Sequence, residues 1–408
     1  MFQQLLRREQ EGNPIKVGLV GAGAMGMGIV HQVNITPGME LVWVADKCLK
    51  TAEKAAALSE DCHSGTDTLA LLKTAPVDVF VESTNSIQSA LEYCETAIKN
   101  KSHVVLMNAE VDLAFGPYLS ELASENNVII TSDAGDQHGV LAAMIEEITL
   151  WGFDIVQAGN IKGFLNREAT IESLAHEAAI RNLDPSQCCA YTDGTKLNIE
   201  MAILSNAYGY LPTQTGMTGP KAKTVEEALS LFDFNAHPEE GAIDYILGAE
   251  PGGGVYVIAK CDNEFQEPYL KYYKLLKSDQ GYFYLFFRPY HLCHLETPKA
   301  IYQAAEHHEA LLQPWKGRVA EVYAYAKADF PAGTVIDESI GSNIVYGMVK
   351  TTESAKGQVP VVTLESEGEK PVLKRDVVKD QALSYDDIEW TDSTLLDKYN
   401  QPANLPSV

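Results

Sequence analysis

Long apolar runs are missing from the sequence. None of its 408 residues belongs to an uninterrupted apolar stretch of the roughly 20 residues that a membrane-spanning helix needs. Positive charge is scarce too, because 31 lysines and arginines stand against 56 aspartates and glutamates, for a formal net charge of −25. Such a chain repels nucleic acid and anionic membranes at long range, so we expect neither as a partner. The seven cysteines have no paired spacing, which predicts reduced thiols and a cytoplasmic protein.

Residues 15–28 read IKVGLVGAGAMGMG, an apolar strand followed by a glycine turn and the start of a helix. Gly21 would permit the tight turn, Gly23 the approach of a pyrophosphate to the helix N-terminus, and Gly26 close packing of helix on strand. A second apolar strand ends at Asp46, twenty residues after Gly26, where a ribose 2′-hydroxyl would bind. This context favours dinucleotide binding over an ordinary glycine turn.

Strands and helices alternate up to about residue 150, which predicts an α/β fold with a Rossmann-type doubly wound parallel sheet. Polar residues at the carboxyl ends of its strands should face the cofactor. Asp46 favours NAD by repelling a 2′-phosphate, whereas Lys47 and Lys50 could accept one, so both NAD and NADP stay open. The cofactor-binding candidates are Gly21, Gly23, Ala24, Met25, Gly26, Asp46, Lys47, Ser83, Thr84, Asn85, Asn108 and Glu110.

The pattern changes near Gly152, where a new domain is expected to begin. We predict a nucleotide-binding domain over 1–155, to which a helix over 297–314 returns. An α+β catalytic domain over 156–296, a small mostly-β module over 316–390 and a tail over 391–408 complete the chain. Gly252 to Gly254 are interpreted as a hairpin turn.

Asp193, Lys196 and Glu200 form the most informative polar group. A helix should begin near Thr195, and Lys196 and Glu200 then share one face of it. A surface ion pair of this kind contributes only about 0.3–0.5 kcal/mol. Because the neighbouring residues are apolar almost all round, the helix should be buried and its polar residues should line a cleft. We therefore predict that Asp193 and Lys196 carry protons to and from a substrate oxygen, and that Glu200 is a further catalytic residue facing the substrate.

Residues 287–298, FRPYHLCHLETP, concentrate a cation, two imidazoles and a carboxylate. His291 is predicted to be catalytic, whereas Arg288, His294, Glu296 and the helical Asn206 are predicted to contact the substrate. Their spacing matches no zinc pattern, so no metal ligands are assigned, although use of a divalent metal stays open. Two further substrate-binding candidates, Lys162 and Lys221, lie in glycine-containing loops that can close over an anion or be solvated turns.

The N-terminal half of the chain is similar to homoserine dehydrogenase, and the full pattern resembles the 1-deoxy-D-xylulose 5-phosphate reductoisomerase-like (DRL) group. Short segments at 330–332 and 373–376 resemble the SAF module of sialic acid synthases. The resemblance implies an NADPH-dependent reductoisomerase of a phosphorylated ketose in isoprenoid precursor synthesis, and we expect a homo-oligomer. The matching stretches are GAGAMG (21–26), MNAEVD (107–112), SDAGDQHG (132–139), TDGTKLNIEM (192–201), GMTGP (216–220) and FRPYHLCHLETP (287–298).

One departure separates this sequence from homoserine dehydrogenases, which place a lysine after the asparagine at the corresponding strand end. Here Ala109 and Glu110 follow Asn108, so oxidation of homoserine is not expected. One alternative is a dehydrogenase or reductase of an alditol, a sugar acid or a nucleotide-linked sugar on the same scaffold. A non-catalytic dinucleotide sensor, with the SAF-like part binding a partner, is the other.

Overall fold

The structure, a computed structural model, describes residues 1–181 and 183–401, and the chain divides into two compact units. The first unit contains Met1–Gly139, Leu292–Pro314 and the segment from Ser393 onward. The second contains Val140–His291 and Trp315–Asp392. Within the described residues, no helix combines the length and the apolar character needed to cross a membrane.

The first unit is built on a six-stranded parallel sheet with the strand order β3-β2-β1-β4-β5-β6. This order, with a helix after each strand, is that of a doubly wound nucleotide-binding sheet, so the predicted fold class is confirmed. Its elements up to the unit boundary are α1 (Phe2–Gln10), β1 (Ile15–Val20), α2 (Ala24–Ile35), β2 (Met39–Ala45), α3 (Leu49–Ala56), β3 (His63–Gly65), α4 (Thr68–Thr74), β4 (Val79–Glu82), α5 (Gln88–Lys99), β5 (His103–Leu106), α6 (Ala109–Glu125), β6 (Ile130–Ser132) and α7 (Gln137–Leu150), which continues into the second unit.

The second unit centres on a mixed six-stranded sheet with the strand order β11-β12-β10-β7-β9-β8. One face of this sheet packs on a cluster of buried side chains that includes Phe234, Ile246 and Tyr256. Its elements up to residue 288 are β7 (Asp154–Lys162), α8 (Ile171–Arg181), α9 (Pro185–Asp193), α10 (Thr195–Tyr208), β8 (Leu211–Pro212), α11 (Ala228–Leu231), β9 (Ala242–Leu247), β10 (Val255–Lys260), α12 (Glu267–Tyr272), β11 (Leu276–Lys277) and β12 (Phe283–Arg288).

The helix expected over 297–314 is shorter and begins earlier. It is α13 (Cys293–Tyr302), and it places Pro298 inside the helix where the sequence predicted a first-turn proline. A π-helical turn, Gln303–His307, then ends the helical run. Like the nucleotide sheet, α13 belongs to the first unit.

The C-terminal residues divide between the two units. An antiparallel hairpin, β13 (Ala320–Ala326) with β14 (Val345–Thr351), and the small pair β15 (Val372–Leu373) with β16 (Ile388–Glu389) lie in the second unit. The predicted β module therefore shares one compact unit with the predicted catalytic domain, whereas the four-part division itself stays a prediction. The tail forms α14 (Thr394–Tyr399) in the first unit, and its residues 402–408 lie outside the described residues.

The glycines 252–254 do not close a hairpin. Strands β9 and β10, which they connect, are separated in the sheet by β7, so the connection must pass over the end of β7. Ile161 donates its amide hydrogen to the Gly254 carbonyl at 2.9 Å, and Gly163 lies against Gly252. The loop is therefore a crossover beside Lys162, and this is a correction to the sequence interpretation.

Three carboxyl groups are buried at the carboxyl side of the parallel sheet, and burial raises the pKa of each. The pKa of Asp112 rises to about 6, and the pKa values of Glu82 and Asp133 rise to about 7. Glu82 Oε1 accepts the Thr84 amide at 3.0 Å, but its Oε2 has no hydrogen-bond partner among the described residues. The ionised form of Glu82 is therefore unfavourable in the folded chain.

We predict that Glu82→Gln stabilises the protein more at pH 8 than at pH 5. The folded chain releases the Glu82 proton near pH 7, whereas the unfolded chain releases it near its ordinary pKa of 4.5. The free energy of unfolding therefore falls as the pH rises from the lower to the higher of these values, by about 3 kcal/mol over the whole interval. Thermal unfolding at both pH values measures the difference.

The control is Glu40→Gln, which removes an exposed carboxylate from β2 and should shift the unfolding midpoint slightly and alike at both pH values. An equal shift of Glu82→Gln at pH 5 and pH 8 would contradict the charge explanation.

Candidate functional site

The glycine turn between β1 and α2 has the form that a dinucleotide requires. Gly21 has a φ of +88°, and a Cβ there would lie 2.6 Å from the backbone of Ser83. A Cβ at Gly26 would lie 1.9 Å from the Gly21 carbonyl oxygen, so both positions exclude a side chain. At Gly23, by contrast, the space within 4 Å of a Cβ holds none of the described residues. That open side faces the start of α2, where amide hydrogens and the helix dipole favour a phosphate.

Asp46 and Ser83 hold the turn from two sides. Asp46 Oδ2 accepts the Ala22 amide at 2.9 Å and its Oδ1 accepts the Cys48 amide at 2.8 Å. The Ser83 hydroxyl donates to the Val20 and Gly21 carbonyls. Asp46 is thus fixed at the predicted ribose position, while Ser83 supports the turn and does not present its hydroxyl to the cofactor.

The other cofactor candidates separate into surface and supporting residues. Ala24, Lys47 and Asn85 are exposed, and Met25 is half-buried in the first turn of α2. Glu110 is buried in the first turn of α6, and the Thr84 hydroxyl donates to the Ser86 carbonyl.

Asn108 has a different role from the one predicted. Its side-chain oxygen accepts the Glu110 and Val111 amides, and its nitrogen donates to Ser86. Asn108 therefore caps α6, and its amide is occupied within the protein.

In the second unit, α10 is buried along nearly its whole length, as its apolar sequence predicts. Glu200 Oε2 accepts a hydrogen bond from Asn160 Nδ2 at 2.9 Å and lies 3.7 Å from Lys162 Nζ. Asn160 and Lys162 are two residues apart on β7 and so point to the same face of the sheet. This face, which we call the Glu200 face, carries α10.

Arg288 lies on the Glu200 face as well. Asn160 is opposite Val255 in the β7–β10 pair, and Val255 is opposite Arg288 in the β10–β12 pair. Directly opposed residues point to the same face, so Arg288 is two strands, about 10 Å, from Asn160. Its guanidinium stacks on Tyr290, 4.5 Å from the ring centroid. Asn160 was not singled out from the sequence, although its two-residue spacing from Lys162 marks it.

Lys196 is buried one turn before Glu200 on α10, with its Nζ 5.8 Å from the ring centroid of Tyr191. Lys221 is exposed, and in the sheet it is in register with Leu247, which is itself in register with Lys162. His291 is half-buried three residues after Arg288. The predicted roles of Lys221 and His291 stay predictions.

Asp193 is held by a lysine that the sequence did not point to. Its fully buried carboxylate lies 2.8 Å from Lys327 Nζ, and its Oδ1 accepts the Thr195 amide at 2.8 Å. Lys327 also donates to the carbonyls of Ala169 and Ser342, each at 2.6 Å. Burial raises the pKa of Asp193, and the Lys327 ammonium opposes that rise. Both carboxylate oxygens are engaged, so we no longer assign proton transfer to Asp193 and interpret it as the anchor of α10.

The β13–β14 hairpin binds α10 at three further points. The Gly347 amide donates to the Thr195 hydroxyl at 2.9 Å, and the Val349 amide donates to Asn198 Oδ1 at 2.8 Å. The Ala320 amide donates to Asn206 Oδ1 at 2.9 Å. Asn206, predicted to bind substrate, therefore has its amide oxygen committed to the hairpin.

Two residues of the FRPYHLCHLETP segment have structural contacts in the first unit. The His294 ring packs on α2, so closely that a Cβ at Gly28 would lie 2.4 Å from its Cγ. Burial lowers the pKa of His294, with His31 adding to the effect. Glu296 Oε1 accepts the Leu292 amide at 2.9 Å at the start of α13. These contacts give His294 a part in helix packing and Glu296 a part in helix capping, and their predicted substrate roles stay predictions.

The Glu200 face therefore offers a base, ammonium and guanidinium groups, and a carboxamide, on rigid elements. Lys162, Lys196 and Arg288 place three cationic side chains on or beside this face in a strongly acidic chain. Such a group of residues can bind an anion and move a proton at one of its oxygens.

Two family models match adjacent parts of the chain. Residues 21–133 match the homoserine dehydrogenase NAD-binding domain, and residues 135–297 match the catalytic domain described as oxidoreductase DRL. They confirm the resemblance to the DRL group for these residues. The SAF-like segments remain a prediction.

Similarity to two curated proteins covers shorter stretches of the chain. A homoserine dehydrogenase of Neisseria gonorrhoeae is 27% identical over 134 residues, covering 31% of each chain. Inositol 2-dehydrogenase 4 of Saccharopolyspora erythraea is 32% identical over 120 residues, covering 26% of this chain and 36% of that protein. The chain thus matches about a third of the length of these curated relatives. A solved structure of a probable dehydrogenase from Thermotoga maritima has a TM-score of 0.45 and 14% identity, covering 74% of this chain and 92% of that one.

We predict that Asp46→Ser shifts the ratio of NADH affinity to NADPH affinity at least tenfold towards NADPH. The serine removes an acceptor for the 2′-hydroxyl and the repulsion of a 2′-phosphate. Fluorescence titration with both dinucleotides measures the ratio. Glu53→Gln, on the exposed side of α3, removes a nearby negative charge and should leave the ratio unchanged.

We predict that Lys327→Met lowers the unfolding midpoint strongly, because it leaves the Asp193 carboxylate buried without a cation. The loss of one partner of a buried pair costs about 3–5 kcal/mol. The double variant Asp193→Asn with Lys327→Met should recover much of this loss in thermal unfolding. Lys350→Met, on β14 of the same hairpin, is the matched control. No recovery in the double variant would contradict the role of the ion pair.

Proposed function

We propose that this chain, which joins a homoserine-dehydrogenase-type NAD-binding domain to the catalytic domain of the DRL oxidoreductases, is an NAD(P)H-dependent reductoisomerase. Its substrate is a small phosphorylated ketose of the 1-deoxy-D-xylulose 5-phosphate type, used in isoprenoid precursor synthesis. The proposal rests on one observation. A buried lysine and glutamate stand on a rigid helix beside cationic side chains, within the residues that match the DRL catalytic domain.

The cations support an anionic substrate. Lys162 and Arg288 lie on one face of the sheet, and burial of the Lys162–Glu200 pair keeps solvent screening low there. The planar guanidinium of Arg288 suits phosphate oxygens, which it can bind in a bidentate manner. A neutral polyol would gain little from this concentration of positive charge.

Lys196 and Glu200 are assigned the proton transfers. Lys196 holds a proton at Nζ for the substrate oxygen that becomes a hydroxyl group, and Glu200 accepts the proton of a substrate hydroxyl during the rearrangement. Asn160, hydrogen-bonded to Glu200 at 2.9 Å, fixes the carboxylate. The Lys162 ammonium lies 3.7 Å from the same carboxylate group.

The residues of the glycine turn fit a dinucleotide, with Gly23 at the phosphates, Gly21 and Gly26 forming the tight turn and the helix packing, and Asp46 at the ribose. When bound, a reduced nicotinamide supplies the hydride of the reduction. The protein supplies binding, orientation and the protons.

A dehydrogenase of a polyol is the second candidate function. The similarity to inositol 2-dehydrogenase 4 favours it, but that match covers only 26% of this chain. The two functions differ in their products, because only the reductoisomerase yields a branched carbon skeleton.

We predict that 1-deoxy-D-xylulose 5-phosphate oxidises NADPH or NADH in the presence of the protein and yields a branched product by NMR. Lys196→Met and Glu200→Gln should each lower kcat at least 100-fold, because each removes a proton carrier. Their affinity for the dinucleotide should stay within a factor of three of wild type. Lys356→Met, an exposed lysine of the same unit, serves as the control and should retain full turnover.

Other results would favour the other functions. Reduction of NAD by inositol, with no turnover of the phosphorylated ketose, would replace the reductoisomerase by a polyol dehydrogenase. Dinucleotide binding without turnover of ketose phosphates, polyols or sugar acids would favour a sensor. Full turnover of Lys196→Met would remove Lys196 from the reaction.

A further inference from the structure

Arg167 lies in the exposed loop that follows β7, five residues after Lys162. Its guanidinium lies 5.9 Å from the ring centroid of Tyr346 on β14. Among the described residues it forms no ion pair and no hydrogen bond. A guanidinium that stacks on a ring without being neutralised keeps its donors available for an anion.

Two carboxylates that could pair with Arg167 have other partners. Glu168, the next residue, pairs with Lys379. Asp380 accepts the hydroxyl hydrogen of Tyr346 at 2.8 Å. Within the part of the chain that the structure describes, the charge of Arg167 is therefore not cancelled by a direct contact.

The backbone on both sides of Arg167 is fixed. The Asn166 amide donates to the Thr192 carbonyl of α9 at 2.7 Å, and the Ala169 carbonyl accepts a hydrogen from Lys327 at 2.6 Å. These contacts attach the loop to α9 and to a buried ammonium group. The loop therefore holds the Cα of Arg167 in place and leaves its side chain exposed.

Tyr245 on β9 brings a hydroxyl group to the Glu200 face. It is directly opposite Asn160 in the β7–β9 pair, so both side chains point to the same face and are one strand, about 5 Å, apart. Tyr245 is only 7% exposed, yet its hydroxyl has no hydrogen-bond partner among the described residues. A buried tyrosine normally has such a partner, so this hydroxyl is a candidate ligand contact.

The loop 216–220 makes room for this hydroxyl. A Cβ at Gly219 would lie 2.2 Å from the Tyr245 hydroxyl oxygen, so a side chain at Gly219 would displace it. Asp244 holds the loop, because it accepts the Thr218 amide at 3.1 Å and the Gly219 amide at 2.8 Å. The surroundings of the hydroxyl are therefore rigid, and the Asp244 carboxylate beside it is engaged with backbone amides.

The charge of Arg167 acts on the Tyr245 hydroxyl. Burial raises the pKa of Tyr245, the Arg167 guanidinium opposes that rise and the Asp244 carboxylate adds to it. A guanidinium can bind two oxygens of a phosphate group, and a phenol hydroxyl can donate to the third. A carboxylate has only two oxygens, so a phosphate group uses this set of donors more fully.

We propose that Arg167 and Tyr245 bind the phosphate group of the substrate, one strand away from the Asn160–Glu200 pair. This assignment rests on the proposed function and states where the phosphate of that substrate lies. The terminal phosphate of a small sugar is a few bond lengths, roughly 5 Å, from the reacting carbons, which matches one strand spacing. Arg288 is two strands from Asn160 in the opposite direction, so it is further from the reacting group.

Titration calorimetry of the full chain with 1-deoxy-D-xylulose 5-phosphate tests this proposal. Arg167→Met should raise the dissociation constant about 30-fold, and Tyr245→Phe, which removes only the hydroxyl, about tenfold. Neither variant should change the affinity for NADH. Arg7→Met, which removes an exposed arginine of α1, is the matched control and should bind the ketose phosphate as the wild type does.

Inorganic phosphate, followed by phosphorus NMR, is a second probe that does not depend on the identity of the sugar. The wild type should bind it, and Arg167→Met should not. Circular dichroism and thermal unfolding establish that each variant is folded. Arg167 is exposed and Tyr245→Phe keeps the buried ring, so neither change disturbs the packing.

The outcomes separate this assignment from the proposed reaction. Wild-type affinity of Arg167→Met for the ketose phosphate overturns the assignment, as does a wild type that binds neither phosphate ligand. Binding of the ketose phosphate that Arg167→Met loses, without oxidation of NADPH or NADH by the wild type, supports the assignment and overturns the reaction. Binding of inorganic phosphate alone, lost in Arg167→Met, supports the assignment and overturns the ketose as the substrate.

Discussion

The buried ion pair between Lys327 and Asp193 is the interaction on which the proposed catalytic part of the molecule depends. An ammonium group in a dry interior is unfavourable unless its hydrogens are satisfied, and here two carbonyls and a carboxylate receive them. Asp193 also fixes the start of α10, because its other oxygen accepts the amide hydrogen of Thr195, one residue before Lys196. The position of the first turn of α10, and of the lysine proposed to carry the proton, is therefore set by Lys327, which directly follows β13 far along the chain.

The contacts of the β13–β14 hairpin extend this constraint along the helix. Thr195, Asn198 and Asn206 recur on one side of α10 and receive amides of the hairpin, whereas Glu200 contacts β7 on another side. A helix with polar side chains on two faces would be marginal by itself in an apolar interior. It is stable here because each of these polar groups has a partner, and partnered polar groups also define a single orientation. The C-terminal residues are thus part of the scaffold that positions the proposed chemistry.

Local patterns were sufficient to predict the nucleotide-binding sheet and the burial of α10, because both are encoded within short windows of sequence. The glycine turn needs only neighbouring residues, and an apolar surround identifies a buried helix directly. The burial of Lys327 could not be predicted from a short window of sequence, since its partner Asp193 lies 134 positions earlier. A lysine that follows an alternating strand is usually exposed. The same limit explains Asn206, whose side-chain oxygen accepts the backbone amide of Ala320, 114 positions away. The predicted start of α13 was wrong because it placed Pro298 in the first turn, which proline prefers. In the structure Pro298 lies inside the helix, so tertiary packing overrides that preference.

A strongly acidic protein that is proposed to bind an anion presents an apparent conflict, which the screening of charge over distance resolves. At physiological salt, charges on the surface are screened over about 8 Å, so most of the net charge of −25 acts weakly on a ligand at the proposed site. Beside buried side chains the effective dielectric is lower and the nearest groups dominate, which in the proposed site are Lys162, Lys196, Arg288 and Glu200. The surface charge would then slow the approach of an anionic substrate, while the local cations would set its affinity. Added salt should therefore raise the association rate of an anionic substrate. The gain should end at the salt concentration that begins to weaken the ion pairs between the substrate and the local cations.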